Sequence, residues 1–226
     1  MIDTEDIRRM QDAWTVRWHE VEDAGTVAEG AAELMAKNHR ANFDLWHEED
    51  KARDPRASNM EIARVKRAID GLNQRRNDLV EEMDEQLLRG LPTQGADAPL
   101  HSETPGMMID RMSILALKIY HTREQAERED ATVAHRLKSA DRLRVLEEQR
   151  GDLARCLDSL WKEVLRGGRR FKVYRQMKMY NDPEMNPAIY EGKREEAREK
   201  VRKLREATRN RRGEEGDEGG RDGRHD

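Results

Sequence analysis

Apolar residues recur along this chain at helical spacing, in long windows dominated by Ala, Leu, Met, Glu, Arg and Lys. Alternating runs of β-branched or aromatic residues, which would mark strands, are missing. The pattern predicts a first helix over 4–22, a second over 25–53 ending before Pro55, and a third over 58–89 closed by Gly90-Leu91-Pro92. Residues 90–103 read as the main loop. Thr104-Pro105-Gly106 then reads as an N-cap followed by proline at the first helical position, opening a fourth helix that runs at least to His121 and as far as 128.

A fifth helix is expected over 131–166. Its Leu143, Leu146, Leu153, Leu157, Leu160 and Val164 stand near coiled-coil spacing, interrupted by Arg150, so it should pack along a neighbour or a partner chain. Gly167-Gly168 breaks it. The fold class that follows is all-α: an antiparallel bundle of long helices over 1–166, then an irregular basic arm over 167–190 laid on the bundle. Asn181-Asp182-Pro183 and Asn186-Pro187 are the turn signals in that arm. Residues 191–212 read as a charged helix whose only apolar stripe is Val201 and Leu204, and the Gly/Glu/Asp/Arg stretch over 213–226 as a disordered tail.

At about 100° per residue, the second helix gathers Lys37, Arg40, Asp44, Glu48 and Lys51 on one solvated side. The opposite side carries Met35, Phe43 and Trp46, and among them His39, Asn42, Glu49, Asp50 and Arg53. Buried polar groups are costly unless paired, so these five should bond to one another, to neighbouring helices or to a ligand. The third helix repeats the arrangement. Ile62, Val65, Ile69, Leu72, Leu79, Val80, Met83 and Leu87 form an apolar arc that includes Arg76, with Asn73, Lys66, Asn77 and Asp84 at its edge and Asp70 and Glu81 slightly further round. The fourth helix is apolar around most of its circumference, as a central helix should be. It points Asp110 and His121 the same way, beside Ile114 and Leu117, and carries a separate cationic stripe of Arg111 and Lys118.

Composition narrows the core. Charged residues make up 40% and hydrophobic ones 35% of the 226 residues, against a usual charged share of about 25%. No run approaches the roughly 18 apolar residues of a membrane span, and the start, MIDTEDIRRM, is acidic where a signal peptide would be basic and then apolar, so a cytoplasmic protein is expected. The lone Cys156 falls among Leu153, Leu157 and Leu160 and is expected in the core. The net charge of -4 conceals an acidic bundle, -9 over residues 1–165, and a basic stretch, +6 over 166–181. That stretch interleaves Phe171 and Tyr174 with its cations, but no nucleic-acid-binding module accompanies it, and an acidic bundle would itself attract it. Nucleic acid is therefore not an expected partner.

Candidate chemistry is confined to the polar residues on apolar faces. No glycine-rich phosphate loop, Ser/His/Asp order or Cys/His pairing occurs. A di-iron bundle needs Glu-x-x-His on two helices, and the nearest spacing, Asp44-x-x-His47, puts Asp44 on the solvated face. Glu49 and Asp50 opposite Glu81 and Asp84 offer a magnesium site, with Lys66 or Arg53 to neutralise phosphate. This is similar to the helical nucleoside-triphosphate pyrophosphohydrolases, but without their Glu-x-x-Glu at Glu49. Lys66, Ile69-Asp70 and Asn73 resemble a segment of helical chorismate mutases, yet Met83 stands where the substrate-binding arginine would be, which removes that reading.

Three strings in combination, HRANFDLWHEEDKARD, VKRAIDGLNQRRNDLVEEMD and SETPGMMIDRMSILALKIYH, carry a more specific likeness. The elements are His39, Asn42, Leu45-Trp46 and Glu49-Asp50; Lys66, Ile69-Asp70, Asn73-Gln74 and Arg76-Asn77-Asp78; and Thr104-Pro105-Gly106, Asp110-Arg111, Ser113-Ile114-Leu115 and Lys118. Over about residues 30–125 the chain resembles a bacterial family known only as a domain of unknown function. The resemblance implies a context of glycosyltransferases and surface-polysaccharide synthesis, and it assigns no activity. The expectation is an accessory or ligand-binding protein of cell-envelope glycan synthesis, with a glycosyltransferase or an anionic small molecule as partner and no cofactor. The alternatives are a magnesium-dependent phosphohydrolase of a nucleotide or nucleotide-sugar, and a homo-oligomeric coiled-coil assembly protein. The residues that would form the polar seam or bind the ligand are His39, Asn42, Trp46, Glu49, Asp50, Arg53, Lys66, Asp70, Asn73, Arg76, Asn77, Asp110, Arg111, Lys118 and His121.

Overall fold

A computed structural model describes residues 3–21, 28–177, 182, 184–192, 194–196 and 198–203. Positions 25–27 of the expected second helix, residues 204–212 and the expected tail over 213–226 lie outside the described residues. The chain divides into two compact units, Met1–Arg175 and Gln176–Asp226. The fold is all-α. In the first unit α1 (Thr4–Glu20), α2 (Ala31–Ala52), α3 (Asn59–Arg89), α4 (Pro105–Glu127) and α5 (Val133–Leu165) follow in order. Among the described residues the only β-type pairing is an isolated parallel bridge between Leu100 and Arg170.

Caps set the helix starts. The side chains of Asp3, Thr104 and Thr132 accept hydrogen bonds from first-turn amides, and Ser58 forms a reciprocal capping box with Glu61. Each such cap stabilises its helix by about 1 kcal/mol. α2 begins later than the sequence pattern suggests because Gly30, at φ 61°, turns the chain left-handed immediately before Ala31.

α4 is the central helix and touches the four others, while α2 pairs with α3 and α5 lies along α4. Met108, Ile109 and Met112 of α4 meet Leu153, Leu157, Leu160 and Val164 of α5 in the main core, together with Trp161 and Phe171. The part of the α5 stripe from Leu153 to Val164 is thus covered within the chain, while Leu143 and Leu146 are half-buried. Cys156 is a correction: it is exposed. At about 100° per residue it stands about 60° round from Leu153, outside the stripe that faces α4.

The chain after α5 runs beside the loop between α3 and α4. Phe171 is buried, and its backbone exchanges hydrogen bonds with the Gln94 side chain, N–H to Oε1 at 2.9 Å and C=O from Nε2 at 3.2 Å. Arg170 donates to Ala98 O at 2.8 Å, and Arg175 pairs with Glu81 at 2.8 Å and with Glu85. In the second unit residues 187–192, 194–196 and 198–203 are helical. Helix therefore begins before position 191, because the Asn186 side chain accepts from the Ala188 amide and Pro187 takes the first helical position. No helix among the described residues is long and apolar enough to cross a membrane.

α4 enters the bundle through a close approach to α3. A Cβ placed on Gly106 would lie 2.8 Å from both the Val80 carbonyl oxygen and Asp84 Oδ1. The Gly106 amide donates to Asp84 Oδ1 at 2.7 Å. Gly106→Ala is therefore expected to lower unfolding free energy by about 1–3 kcal/mol, since a backbone atom cannot swing aside; unchanged urea denaturation would contradict this contact.

Asp84 itself is strained electrostatically. Burial pushes its carboxyl up to about 6, outweighing hydrogen bonds from the Thr104 side chain and the Gly106 amide. A carboxyl raised in the folded state stays protonated at pH values where the unfolded chain ionises it. Its contribution to stability is present below about pH 4 and is lost as pH rises through about 6. Asp84→Asn should abolish that loss, so its stability relative to the parent should grow by up to about 3 kcal/mol between pH 4 and pH 7. Urea denaturation across that range measures it, and a pH-independent difference would refute it.

Candidate functional site

Buried polar side chains link all five helices of the first unit. Arg150, 2% exposed, is an anchor of this network and not merely an interruption of a seam. Its guanidinium donates to Asp12 Oδ1 at 2.6 Å, to Arg8 O at 3.1 Å and to Gln11 Oε1 at 3.0 Å. Gln11 passes the link on by donating to Ile109 O of α4 at 3.3 Å.

His39 sits fully buried between α1 and α4. The Thr15 hydroxyl donates to Gln11 O at 2.8 Å, so its oxygen accepts from His39 Nε2–H at 2.9 Å. His39 Nδ1 then accepts from the Ser113 hydroxyl at 2.7 Å, and Ser113 Oγ accepts from Asn42 at 2.9 Å. Burial, with Arg150 adding to it, pushes His39 down to about 3, consistent with the neutral ring this chain of bonds requires. Asn38 and Asn42 both donate to Asp110 Oδ1 at 2.9 Å, and Arg76 of α3 stands 3.8 Å from the same oxygen. His39, Asn42, Asp110 and Arg76 are thus brought together.

Beside this network α2, α3 and α4 line an open cavity of about 420 Å³. Its apolar wall is Leu45, Trp46, Ile114 and Leu117. Its polar lining is Asn42, Glu49, Asp50, Arg53, Asn73, Arg76 and Lys118. Eight of the fifteen sequence candidates therefore line one space. Glu49 is held by Arg53 at 2.6 Å, whereas Arg76 Nε is buried with no hydrogen-bond partner. Asp50 and Arg53 are exposed at the cavity rim, not paired in the interior.

Other candidates lie elsewhere. Lys66 and Asp70 pair with each other on α3, and Arg111 pairs with Glu103. Asn77 is half-buried and does not line the cavity, and Asp78 is half-buried and accepts from Gln74 at 2.7 Å. The four carboxylates proposed for magnesium are not gathered. Glu81 is engaged by Arg175 and Asp84 by Gly106, and Asp84 lies about 12 Å further along α3 than the cavity residue Arg76.

His121 does not line the cavity and joins an aromatic cluster whose members share no spacing along the chain. It stacks on Trp46 with ring centroids 4.7 Å apart, and His19 of α1 stacks on Tyr120 at 4.4 Å. His47 meets His19 edge-on at 5.2 Å. Ring nitrogens of His19, His47 and His121 all lie within 4.8 Å of one another, and this is the one His/Cys/Asp/Glu group of that compactness among the described residues. Burial first, and then the neighbouring His19 and His121, lower the His47 pKa.

The comparisons agree with the sequence likeness and extend it. A family model described as "Protein of unknown function (DUF4254)" matches residues 32–173. The chain belongs to that family. The match continues past the expected limit near 125, through α5 to the start of the arm, and leaves α1 outside. No curated protein and no solved structure matches the chain.

Ser113 Oγ is shared by His39 and Asn42. Ser113→Ala leaves His39 Nδ1 without a donor and removes an acceptor from Asn42, so a loss of about 1–3 kcal/mol in unfolding free energy is expected. Urea or thermal denaturation measures it; a change below about 0.5 kcal/mol would contradict the network.

Proposed function

We propose that this protein binds an anionic, polar small molecule in the α2–α3–α4 cavity and serves as an accessory protein of cell-envelope glycan synthesis. One observation carries the binding reading. Arg76 and Lys118 line the cavity with an apolar wall containing Trp46, and the buried Arg76 Nε, 3.8 Å from Asp110 Oδ1, has no hydrogen-bond partner. An unsatisfied buried donor in a concave, partly apolar space is stabilised by a ligand that brings an acceptor, and a negative one most of all. Asn42, which holds Asp110 and Ser113 through its Nδ2, and Asn73 line the same wall. The volume, about 420 Å³, is within the usual range for small-molecule sites.

The glycan context rests on the family resemblance. It favours a sugar phosphate or nucleotide-sugar as the anion, and a glycosyltransferase as the protein served.

Isothermal titration of the full chain with a nucleotide-sugar is the direct test. Saturable one-to-one binding is expected, weakened about 10-fold or more by Arg76→Ala through loss of a charge-assisted hydrogen bond. Failure of the parent chain to bind nucleotide-sugars and sugar phosphates alike would overturn the ligand reading.

A further inference from the structure

Three imidazoles from three different helices converge outside the cavity, and their hydrogen bonds fix which nitrogen of two of them holds a lone pair. His19 Nδ1 lies 2.7 Å from Thr15 O. A carbonyl oxygen only accepts, so Nδ1 carries the hydrogen and Nε2 of the neutral ring holds a lone pair. His121 Nδ1 lies 2.8 Å from the Glu124 carboxylate, which by the same reasoning leaves Nε2 as the lone-pair nitrogen. Both Nε2 atoms are buried and have no hydrogen-bond partner.

A metal-ligating histidine almost always donates its other ring N–H to a carboxylate or a backbone carbonyl, which sets the tautomer and raises the basicity of the ligating nitrogen. His121 has the first of these partners and His19 the second. His47 supplies the third ring, with its nitrogen inside the same 4.8 Å limit. Tetrahedral zinc holds imidazole nitrogens at about 2.0–2.1 Å, which places them about 3.4 Å apart. The separations here, 4.8 Å at most, would have to shorten by about 1.4 Å or less on binding. All three residues are half-buried, so an ion can enter from solvent and water can take a fourth position.

We propose that His19, His47 and His121 form a zinc site joining α1, α2 and α4, with Thr15 O and Glu124 orienting two of its ligands. Neutral imidazole nitrogens suit zinc and its first-row neighbours and not magnesium or calcium, which take oxygen ligands. The site is separate from the cavity proposed above as the ligand site: its ligands are none of the cavity's polar residues, and only Trp46, stacked on His121, borders both.

The test uses the tag-free full chain, stripped with a chelator and titrated with Zn2+ alone in competition with a chromophoric chelator. One equivalent is expected to bind. His47→Ala and His121→Ala should each weaken it by about 100-fold, and Glu124→Gln by about 10-fold as an orienting group. His135→Ala and Arg76→Ala should leave it unchanged, the latter separating this site from the cavity. Circular dichroism checks that each variant is folded. X-ray absorption on the zinc-loaded parent chain needs no variant: three imidazole nitrogens at about 2.0 Å are expected. Less than half an equivalent bound, a zinc shell without imidazole, or affinity unchanged in the folded His47 and His121 variants would each overturn the proposal.

Discussion

The neutral ring of His39 is the constraint on which the first unit's interior depends. It is fully buried, it bonds to Thr15 on one side and Ser113 on the other, and those two partners belong to different helices. A planar ring with one donor and one acceptor at opposite ends accepts only one rotation of α2 between α1 and α4. With α2 fixed in that rotation, Asn42 and Trp46 fall on the cavity side, and Phe43 and His47 fall toward α1. A protonated His39 would place a second donor against the Thr15 and Ser113 hydroxyls and a charge near Arg150. Burial makes that state costly enough that the ring stays neutral at any ordinary pH.

The second constraint acts at the other end of α4. Glycine at 106 allows two helix backbones to meet, and Asp84 fills the contact by accepting the Gly106 amide. A carboxylate at a helix N-terminus is normally favoured by the exposed amides and the helix dipole. Here burial opposes and exceeds that gain, as the upward displacement of Asp84 shows. The Thr-Pro-Gly string therefore records a capping residue, a conformational starter and a steric vacancy in three successive positions.

Helix boundaries were legible because caps, prolines and glycines act locally, and the polar positions were legible because helical period alone separates faces. What meets across helices was not. The wheel aligned Asp110 and His121, but eleven residues of helix, about 16 Å, separate them, and one joins the polar network while the other joins the aromatic cluster. Glu81 and Asp84 shared a helix edge with cavity residues but found partners of their own. Arg150 looked like a defect in an apolar stripe because its acceptors, Arg8 O, Gln11 and Asp12, lie some 140 positions earlier. Cys156 was misplaced because it stands about 60° round from Leu153, just outside the stripe that faces α4. His19, His47 and His121 have no spacing rule at all, since each comes from a separate helix.

α1 is the element that closes both arrangements, although the family match begins at residue 32, after it. It supplies Thr15 to His39, Gln11 to Arg150 and to α4, and His19 to the other two imidazoles. These residues follow at intervals of four along one face, so a single helix placement satisfies all three. Gln11 and Thr15 are buried among polar partners, and Trp14 and Trp18 stack beside them at 6.2 Å. Arg40 of α2 lies over the Trp18 ring at 5.3 Å. The apolar contribution of α1 to the core comes from Ile7 and Trp18, with Met10 and Trp14 partly buried against them. To that non-directional packing the hydrogen bonds add register, because they tolerate little sliding, and that is the property a helix needs if it is to hold one ring nitrogen opposite two others.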